Sequence, residues 1–540
     1  RAESEQQQQQ QQYLKKGESP ILHRANPVQK TSVVSLFRFA SSLSMESTRS
    51  PTHVAQHPNV KNLNHFGRHM AFCPTNKGGR HLTAEQLEPY RQIGDPHLDD
   101  LLGFMEEEGY PLKPQDDLLS PQQPYPQHIQ SRIDEFVQYY SDYPDWVDQE
   151  QLERGQTVFL RYAGGISASL YHRSLVGGLS VPKIAKVLTT TAYLAPPSTT
   201  QQVGHRLEDT VALLASCTGF GVKHLLPNGD AWKTALYVRI LHAKVRRQLL
   251  KREGPRGRAM DRDWDTEEYG VPINQEDMAT TLLAFSIYAL EGLEYVAGKP
   301  ASQQEQEDYI ALWRYLGWVM GVYTSHEDSA ACAAVPSLTS SSSSSFSSLP
   351  RSLDPCGPGW YEEYPNPIMH ARSISDSVWL HLVHPDETST SIAHHLLRSG
   401  RGNSCPYQQK LEKKKQGSVS EANKPLESYD FYLRAQHCRD MIGGPLADAL
   451  DLPHHPNPCT RLLIQIHGSM IWWGLRLFTW SGGLPFLKNG KHRLLVNTIQ
   501  TFYSKWKRSH FTRMAKQIGK RENQVVAKER VCPFAFLAQP

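Results

Sequence analysis

Apolar positions along this chain are unevenly periodic, and that unevenness divides it. Residues 1–80 carry no sustained apolar repeat. A glutamine run, Gln6 to Gln12, gives way to stretches rich in Ser, Asn and His, and the range reads as a disordered low-complexity tail. Within it, Thr31 to Ser44, with Leu36, Phe37, Arg38 and Phe39, forms an island with the look of a short amphipathic or targeting element. Residues 81–130 read as an irregular lead-in. From Ser131 a helical period sets in. Asp148 and Gln151 make a capping-box start, followed by Leu152, Phe159, Ala163, Ile166 and Leu170 at helical spacing. Gly164-Gly165 interrupts that run, which predicts a bend or the close approach of another backbone. Met278, Leu282, Phe285, Ala289 and Leu293, entered through Pro272, Asn274 and Asp277, predict a further helix. Tyr309, Leu312, Leu316, Val319 and Tyr323 predict the next.

Strand-like alternation is hard to find between Ser131 and Tyr323, so the core, 131–330, reads as all-α. A Ser/Pro/Gly-rich loop follows over 331–360, around the tract Ser340 to Ser345. Helical signal continues over 361–400, and 401–425 reads as a linker with the run Lys413-Lys414-Lys415. The last helices fall in 426–520, with a tail over 521–540. The segments after Ser373 are too short to bury a core of their own, so they are expected to complete one helical domain.

Composition narrows the function classes. The chain has 540 residues, 58 Lys+Arg against 54 Asp+Glu and 39% hydrophobic residues. That apolar fraction is low for a wholly globular chain, in keeping with unfolded segments. The near-balanced charge argues against a dedicated nucleic-acid binder. Eight cysteines without a CxxC pair exclude a structural zinc module or a dense disulfide framework and suit a reducing compartment. There is no GxGxxG with a ribose-binding acid, no Walker A, no nucleophile elbow and no HExxH. Because the chain begins with Arg1, a signal or anchor segment upstream stays open.

The segment Asp230 to Lys251 holds the most informative chemistry. At 100° per residue, Arg239, His242 and Arg246 fall within about 60° of one another on one face, together with Trp232, Ala235, Val238 and Leu249. Lys244 and Lys251 lie on the far side. Two arginines and a histidine on an apolar face are costly unless something buried pairs with them. Two readings follow. One is a structural network of arginines bonded to carboxylates with a satisfied core histidine. The other is a haem cradle, with the imidazole on iron and the arginines on propionates. On a second helix, Arg206, Thr210, Leu213, Leu214 and Cys217 share a face while Glu208 points away. That pattern suits either a buried salt bridge with a back-bonded hydroxyl or the polar groups of a ligand pocket.

The array RLEDT (Arg206 to Thr210), the helix YVRILHAKVRR (Tyr237 to Arg247) and the stretch YGVPINQEDMATTLLAFS (Tyr269 to Ser286) resemble, in this order, the rubber oxygenase/mpaB-type oxygenase family. The likeness spans roughly Pro144 to Trp480. It implies an all-α fold, a single globin-like domain around a buried b-type haem, that cleaves or oxidises a carbon–carbon double bond with dioxygen. By the same resemblance His242 is the iron ligand, Arg239 and Arg246 flank it as propionate-binding or supporting residues, and Arg206 and Thr210 stand on the oxygen side. Latex-clearing proteins carry a lysine where this chain has Asp209, and an upstream glutamate where it reads LTTTAYL (Leu188 to Leu194). The resemblance therefore points to the mpaB-like fungal branch and a smaller isoprenoid-like or lipid-like olefin, with an endoplasmic-reticulum or membrane association, and otherwise a cytoplasmic one.

His381 and His384, with the pairs His394-His395 and His454-His455, read as surface or structural residues rather than a metal site. Leu462 to Trp480 is apolar and aromatic but contains Gln465, His467 and Arg476. It reads as a buried core helix, with an interfacial alternative in which Trp472, Trp473 and Trp480 meet a headgroup boundary. Lys488 to Arg530 holds twelve Lys/Arg against Glu522 and Glu529, a solvated face or a contact for anionic lipid. The partners expected are a lipophilic small molecule and a peripheral membrane surface, with no nucleic acid. Against the oxygenase stand two other readings: a non-catalytic haem or lipid carrier on the same fold, and a membrane-peripheral scaffold without cofactor.

Overall fold

The computed structural model describes residues 59–75, 79–112, 118–119, 124–191, 194–196, 198–251, 264–322, 353, 355, 366–399, 427–481 and 490–506, all within one compact unit. The glutamine run, the 31–44 island, the serine tract, the 401–425 linker and the 521–540 tail lie outside these residues. So do Tyr323 and the stretch after Trp506. The described part is helical apart from one hairpin.

That hairpin pairs β1 (Lys61–His65) with β2 (Arg68–Phe72) antiparallel, Lys61 opposite Phe72 and His65 opposite Arg68. Its two-residue turn, Phe66-Gly67, has φ of +50° and +81°, the left-handed pair that matches the twist of the flanking strands. The hairpin corrects the reading of 1–80 as uniformly disordered. The lead-in is likewise not irregular throughout: it holds α1 (Ala84–Arg91), α2 (Pro96–Glu107) and the first residues of α3 (Gln127–Ser141).

The core begins with α4 (Gln149–Arg161), capped by Asp148, which accepts from the Glu150 amide. The helical run then breaks at Tyr162 and restarts as α5 (Ala163–Ser169), which opens into a π-helical turn over Leu170–Leu175. The Gly-Gly pair in α5 admits side chains of two later helices rather than the other backbone its spacing suggests. A Cβ on Gly165 would stand 2.7 Å from Leu293, and one on Gly164 would stand 3.2 Å from Phe478. There follow α6 (Pro182–Thr190), α7 (Thr200–Thr218) and α8 (Asp230–Lys251). The helix expected over Met278 to Leu293 is two, α9 (Gln275–Phe285) and α10 (Ile287–Ala297), separated by Ser286 at φ −100° and ψ −86°. An Asn274–Asp277 capping box starts α9, and left-handed Gly298 closes α10. Then come α11 (Gln303–Val319), α12 (Pro367–Leu382), α13 (Glu387–Arg398), α14 (Tyr429–Ile442), α15 (Pro458–Ser481) and a last helix, α16, over 490–506.

The helices pack as neighbours around α8 and α11. α4 lies along α11, where Gly155 sits against the Asp308 carbonyl, and α5 lies along α10. α7 packs on α8, and α15 covers α5, α10 and α14. One continuous apolar core joins α1 through α15. A separate cluster seats Tyr503 and Trp506 of α16 on Ala212 and Ala215 of α7 and Val238 of α8. The buried ends of α6, α9 and α12 are tied by charge: Lys183 pairs with Glu276 at 2.9 Å and Asp277 at 3.0 Å, and His381 Nδ1 meets Glu276 at 2.6 Å.

Candidate active site on helices α7 and α8

The apolar face of α8 is buried as its period predicts: Trp232, Ala235, Val238 and Leu249 are in the core. Arg239 shares that face and is 1% exposed. Its Nε and Nη2 donate to the two oxygens of Asp95 at 2.6 and 2.7 Å, Nη2 also donates to the Tyr140 hydroxyl at 2.7 Å, and Nη1 reaches the Val319 carbonyl at 3.3 Å. Tyr140 stacks under the guanidinium, its ring centroid 4.0 Å away. Asp95 is also the N-cap of α2, accepting from the Leu98 amide. One carboxylate thus starts one helix and neutralises the centre of another.

One turn beyond His242, Arg246 is engaged in the same way. Its Nη1 donates to both oxygens of Asp99 at 2.8 and 2.9 Å, Nε donates to the Pro272 carbonyl at 3.1 Å, and Nη2 donates to the Ile273 carbonyl at 2.9 Å. These contacts give the Tyr269 to Ser286 stretch a structural role. Its loop carbonyls receive Arg246, Ile273 takes φ +54°, and Gln275 donates to the Gly94 and Gly321 carbonyls. The flanking arginines are therefore committed to the protein's own acceptors. Of the two roles expected for Arg239 and Arg246, support of the helix has its partners here, and propionate binding does not.

His242 differs. The residue is half-buried, yet its Nδ1 is fully buried and has no hydrogen-bond partner. Burial pushes its pKa down to about 4, the Arg246 charge adding to the effect and Asp95 opposing it. The ring is neutral at physiological pH, the form in which imidazole ligates a metal. His437 Nε2 is buried without a hydrogen-bond partner in the same way, so the orphaned Nδ1 does not by itself mark a metal ligand. A neutral imidazole is a competent metal ligand. The arginines beside it do not supply a propionate clamp.

On α7, Arg206 and Thr210 are half-buried, Leu214 and Cys217 are buried, and Glu208 points to solvent, as the period predicts. Thr210 Oγ1 donates back to the Arg206 carbonyl at 3.2 Å, leaving its lone pairs as acceptors. Asp209, where latex-clearing proteins have lysine, turns to another face. It is buried and accepts from Trp506 Nε1 of α16 at 2.8 Å. Of the Leu188 to Leu194 segment, Leu188–Thr190 end α6 and Thr191 caps it, the Thr189 and Thr191 hydroxyls donating back to the Ala185 and Val187 carbonyls.

Two buried polar clusters escaped the sequence reading. Glu291 on α10 receives Arg173 of the π-helical turn and Arg68 of β2, while Arg68 also donates to Asp376 at 2.8 Å and Ser375 at 2.6 Å. Beside it lies an apolar cavity of about 20 Å³, room for a single water-sized guest, lined by Tyr288, Trp379 and Thr280. The second cluster brings His172 Nδ1 to 3.3 Å from Cys438 Sγ, with the His172 and His437 rings 5.3 Å apart. No group of three or more His, Cys, Asp or Glu among the described residues is arranged to hold a metal. The histidine pairs sit as structural residues: His381 on Glu276, His394 on the Asp451 carbonyl, and His395 against Ser198.

Among the described residues burial lowers the pKa of seven imidazoles, His65, His395 and His454 among them, and furthest in four, down to about 3 for His172 and about 4 for His242, His384 and His437. In the unfolded chain each titrates near about 6.5. Below that pH the unfolded state binds protons that the fold refuses, so stability is complete above pH ~6.5 and falls as pH drops toward ~4. Urea midpoints are expected to decline across this window, and His242→Gln should reduce the slope by roughly one proton. A flat profile would mean the rings are protonated in the fold.

Residues 161–338 match the family described as ER-bound oxygenase mpaB/B'/Rubber oxygenase, catalytic domain. The match takes in Arg206, Thr210, Arg239, His242 and Arg246. No curated protein matches the chain. Among solved structures, the latex clearing protein LCP in its closed state is similar at 15% identity and a TM-score of 0.44, over 77% of this chain and 91% of that one.

Proposed function

We propose, on the premise that residues 161–338 belong to the ER-bound oxygenase mpaB/B'/rubber oxygenase family, that this chain is a b-type haem-dependent oxygenase of lipophilic olefins. The observation that carries the haem reading is His242: a neutral, half-buried imidazole on the apolar face of α8, inside the residues matched to the family. His242 would hold the iron. When bound, the group supplies the dioxygen chemistry that side chains lack. Asp95 and Asp99 hold the guanidiniums one turn to either side, which fixes α8 and with it the imidazole. Arg206, on the helix packed against α8, would supply a cationic donor where negative charge develops on oxygen, and Thr210, whose hydroxyl hydrogen goes to the Arg206 carbonyl, would stand beside it as an acceptor. Leu213, Leu214 and Cys217 continue that face into the apolar core.

The overall reaction balances simply: one C=C bond and one O2 give two carbonyl groups, each taking one oxygen atom. The substrate class is an isoprenoid-like or lipid-like olefin. The test is oxygen uptake by the full chain with a polyprenyl olefin in detergent, with products from labelled dioxygen read by mass spectrometry. Uptake with one label in each carbonyl product is the expected result. Arg206→Met and Thr210→Val should each lower the rate, by about 10²-fold for the stronger of the two, with haem content unchanged. Olefin binding without oxygen uptake would instead make the chain a carrier.

A further inference from the structure

Helix α15 presents to solvent what a core helix would hide. Leu463, Ile466, Met470, Trp473, Leu477 and Trp480 recur at alternating steps of three and four, and all are exposed, Met470 by 67% and Leu477 by 59%. Leu462 and Phe478, also exposed, widen the stripe to about 160° of the helix at ~100° per residue. The sequence favours a core helix here, with an interfacial segment as its alternative. The helix's opposite face, Ile464, Gly468, Trp472 and Thr479, does pack inward, and Trp472 donates to Asp440 at 2.9 Å. Of the three tryptophans expected at an interface, Trp472 is therefore withdrawn while Trp473 and Trp480 remain at the surface.

The exposed face is held rigidly. Arg476 donates to the Val296 and Tyr295 carbonyls, Trp480 Nε1 donates to the Ala297 carbonyl, and all three acceptors sit at the end of α10. Among the described residues no helix is long and apolar enough to cross a membrane.

Charge decides what covers this face. Among the described residues from Leu452 to Trp506 there are five Lys/Arg and no Asp or Glu. On α15 Arg461 and Arg476 are half-buried and donate to the His455, Val296 and Tyr295 carbonyls, while Arg493 and Lys505 are exposed on α16, where Leu494 adds another exposed apolar side chain. Alternating three-four spacing also suits a coiled-coil partner. A second copy, however, would lay this acid-free helix against its own cations, and the stripe is wider than a two-position seam. A surface that is both apolar and anionic complements it: the headgroup boundary of a bilayer with acidic phospholipid, where tryptophan and leucine bury shallowly and cations meet phosphate.

The geometry points to α15 as an in-plane membrane-docking helix that seats the domain on anionic phospholipid, with α16 supplying flanking charge. The face is independent of the haem reading, and it would bring the domain to the phase in which lipophilic olefins dissolve.

The test is sedimentation of the full chain with phosphatidylcholine vesicles, with and without phosphatidylserine. The chain should pellet with the phosphatidylserine vesicles and largely stay in solution with phosphatidylcholine alone. Met470→Glu/Leu477→Glu alters only exposed positions, so far-UV circular dichroism should be unchanged while binding falls at least tenfold. Arg493→Gln and Lys505→Gln should each weaken binding about fivefold. Binding that survives Met470→Glu/Leu477→Glu would assign attachment to the basic chain beyond α16 and overturn the proposal. So would an absence of vesicle binding together with a concentration-dependent dimer lost in that variant, which would make the face an interface between copies.

Discussion

Asp95→Ala is expected to lower the unfolding free energy by about 3–5 kcal/mol, because it leaves a buried guanidinium without its counter-charge. Arg239 is almost wholly enclosed, and both of its Asp95 bonds vanish with the substitution. Tyr140 and the Val319 carbonyl remain, but neither carries a compensating charge. The same change removes the N-cap of α2, a further loss of about 1 kcal/mol. Urea denaturation of Asp95→Ala, Asp95→Asn and Asp95→Ala/Arg239→Met separates these contributions. Asn keeps the cap and loses the charge, so it should fall between parent and Ala. The double variant should recover much of the loss, since removing both partners leaves no orphaned ion. If the double variant is no more stable than Asp95→Ala, the penalty is not electrostatic. Burial raises the Asp95 pKa, but the Arg239 charge and hydrogen bonds outweigh it and hold the carboxyl below its ordinary value. This stabilisation is therefore complete above the ordinary carboxylate range and is lost only as pH falls through the lowered value.

Glu291→Ala is expected to be comparably severe, again about 3–5 kcal/mol. Glu291 is a carboxylate shared by two buried arginines, Arg68 from the hairpin and Arg173 from the π-helical turn. Arg68 keeps Asp376 when Glu291 is removed, so the unbalanced charge falls mainly at Arg173. Thermal unfolding of Glu291→Ala against Glu291→Ala/Arg173→Met checks this, with partial recovery expected in the pair. The hairpin should loosen in the single variant and register as faster amide exchange in Lys61–Phe72 than in α11.

How much of this was legible in the sequence depends on distance along the chain. The face of α8 follows from a 3.6-residue period and is buried apart from half-buried His242, whereas on α7 Arg206, Thr210 and Leu213 are half-buried and Asp209 and Ala212, off the expected face, are buried. The partners of the arginines do not follow from the period. Asp95 and Asp99 lie 144 and 147 positions before Arg239 and Arg246, in a stretch whose helices were not recognised. Sequence alone therefore left a structural network and a cofactor cradle both open. The structure gives the arginines to the network and leaves the histidine with a partnerless nitrogen.

The hairpin was hidden for a related reason. In β2 the buried positions are Arg68, Met70 and Phe72. An arginine in the first of them disguises the alternation, and only the acids on α10 and α12 make that arginine acceptable in the core. The break at Ser286 was missed because apolar residues continue on both sides of it. For α15, apolar content favours burial over an interfacial place, whereas the structure divides the helix into a packed face and an exposed one. Sequence period tells which residues share a face. It does not tell whether that face meets protein or something outside it.

The central claim is that His242 holds haem iron. Its most direct test is the absorption spectrum of the full chain reconstituted with haem, recorded beside His242→Ala, with a pyridine haemochrome assay. The parent is predicted to show a Soret band and a b-type haemochrome, and the folded His242→Ala to lose or strongly shift that band. A parent that folds yet retains no haem, or a His242→Ala protein whose band matches the parent's, would contradict the account.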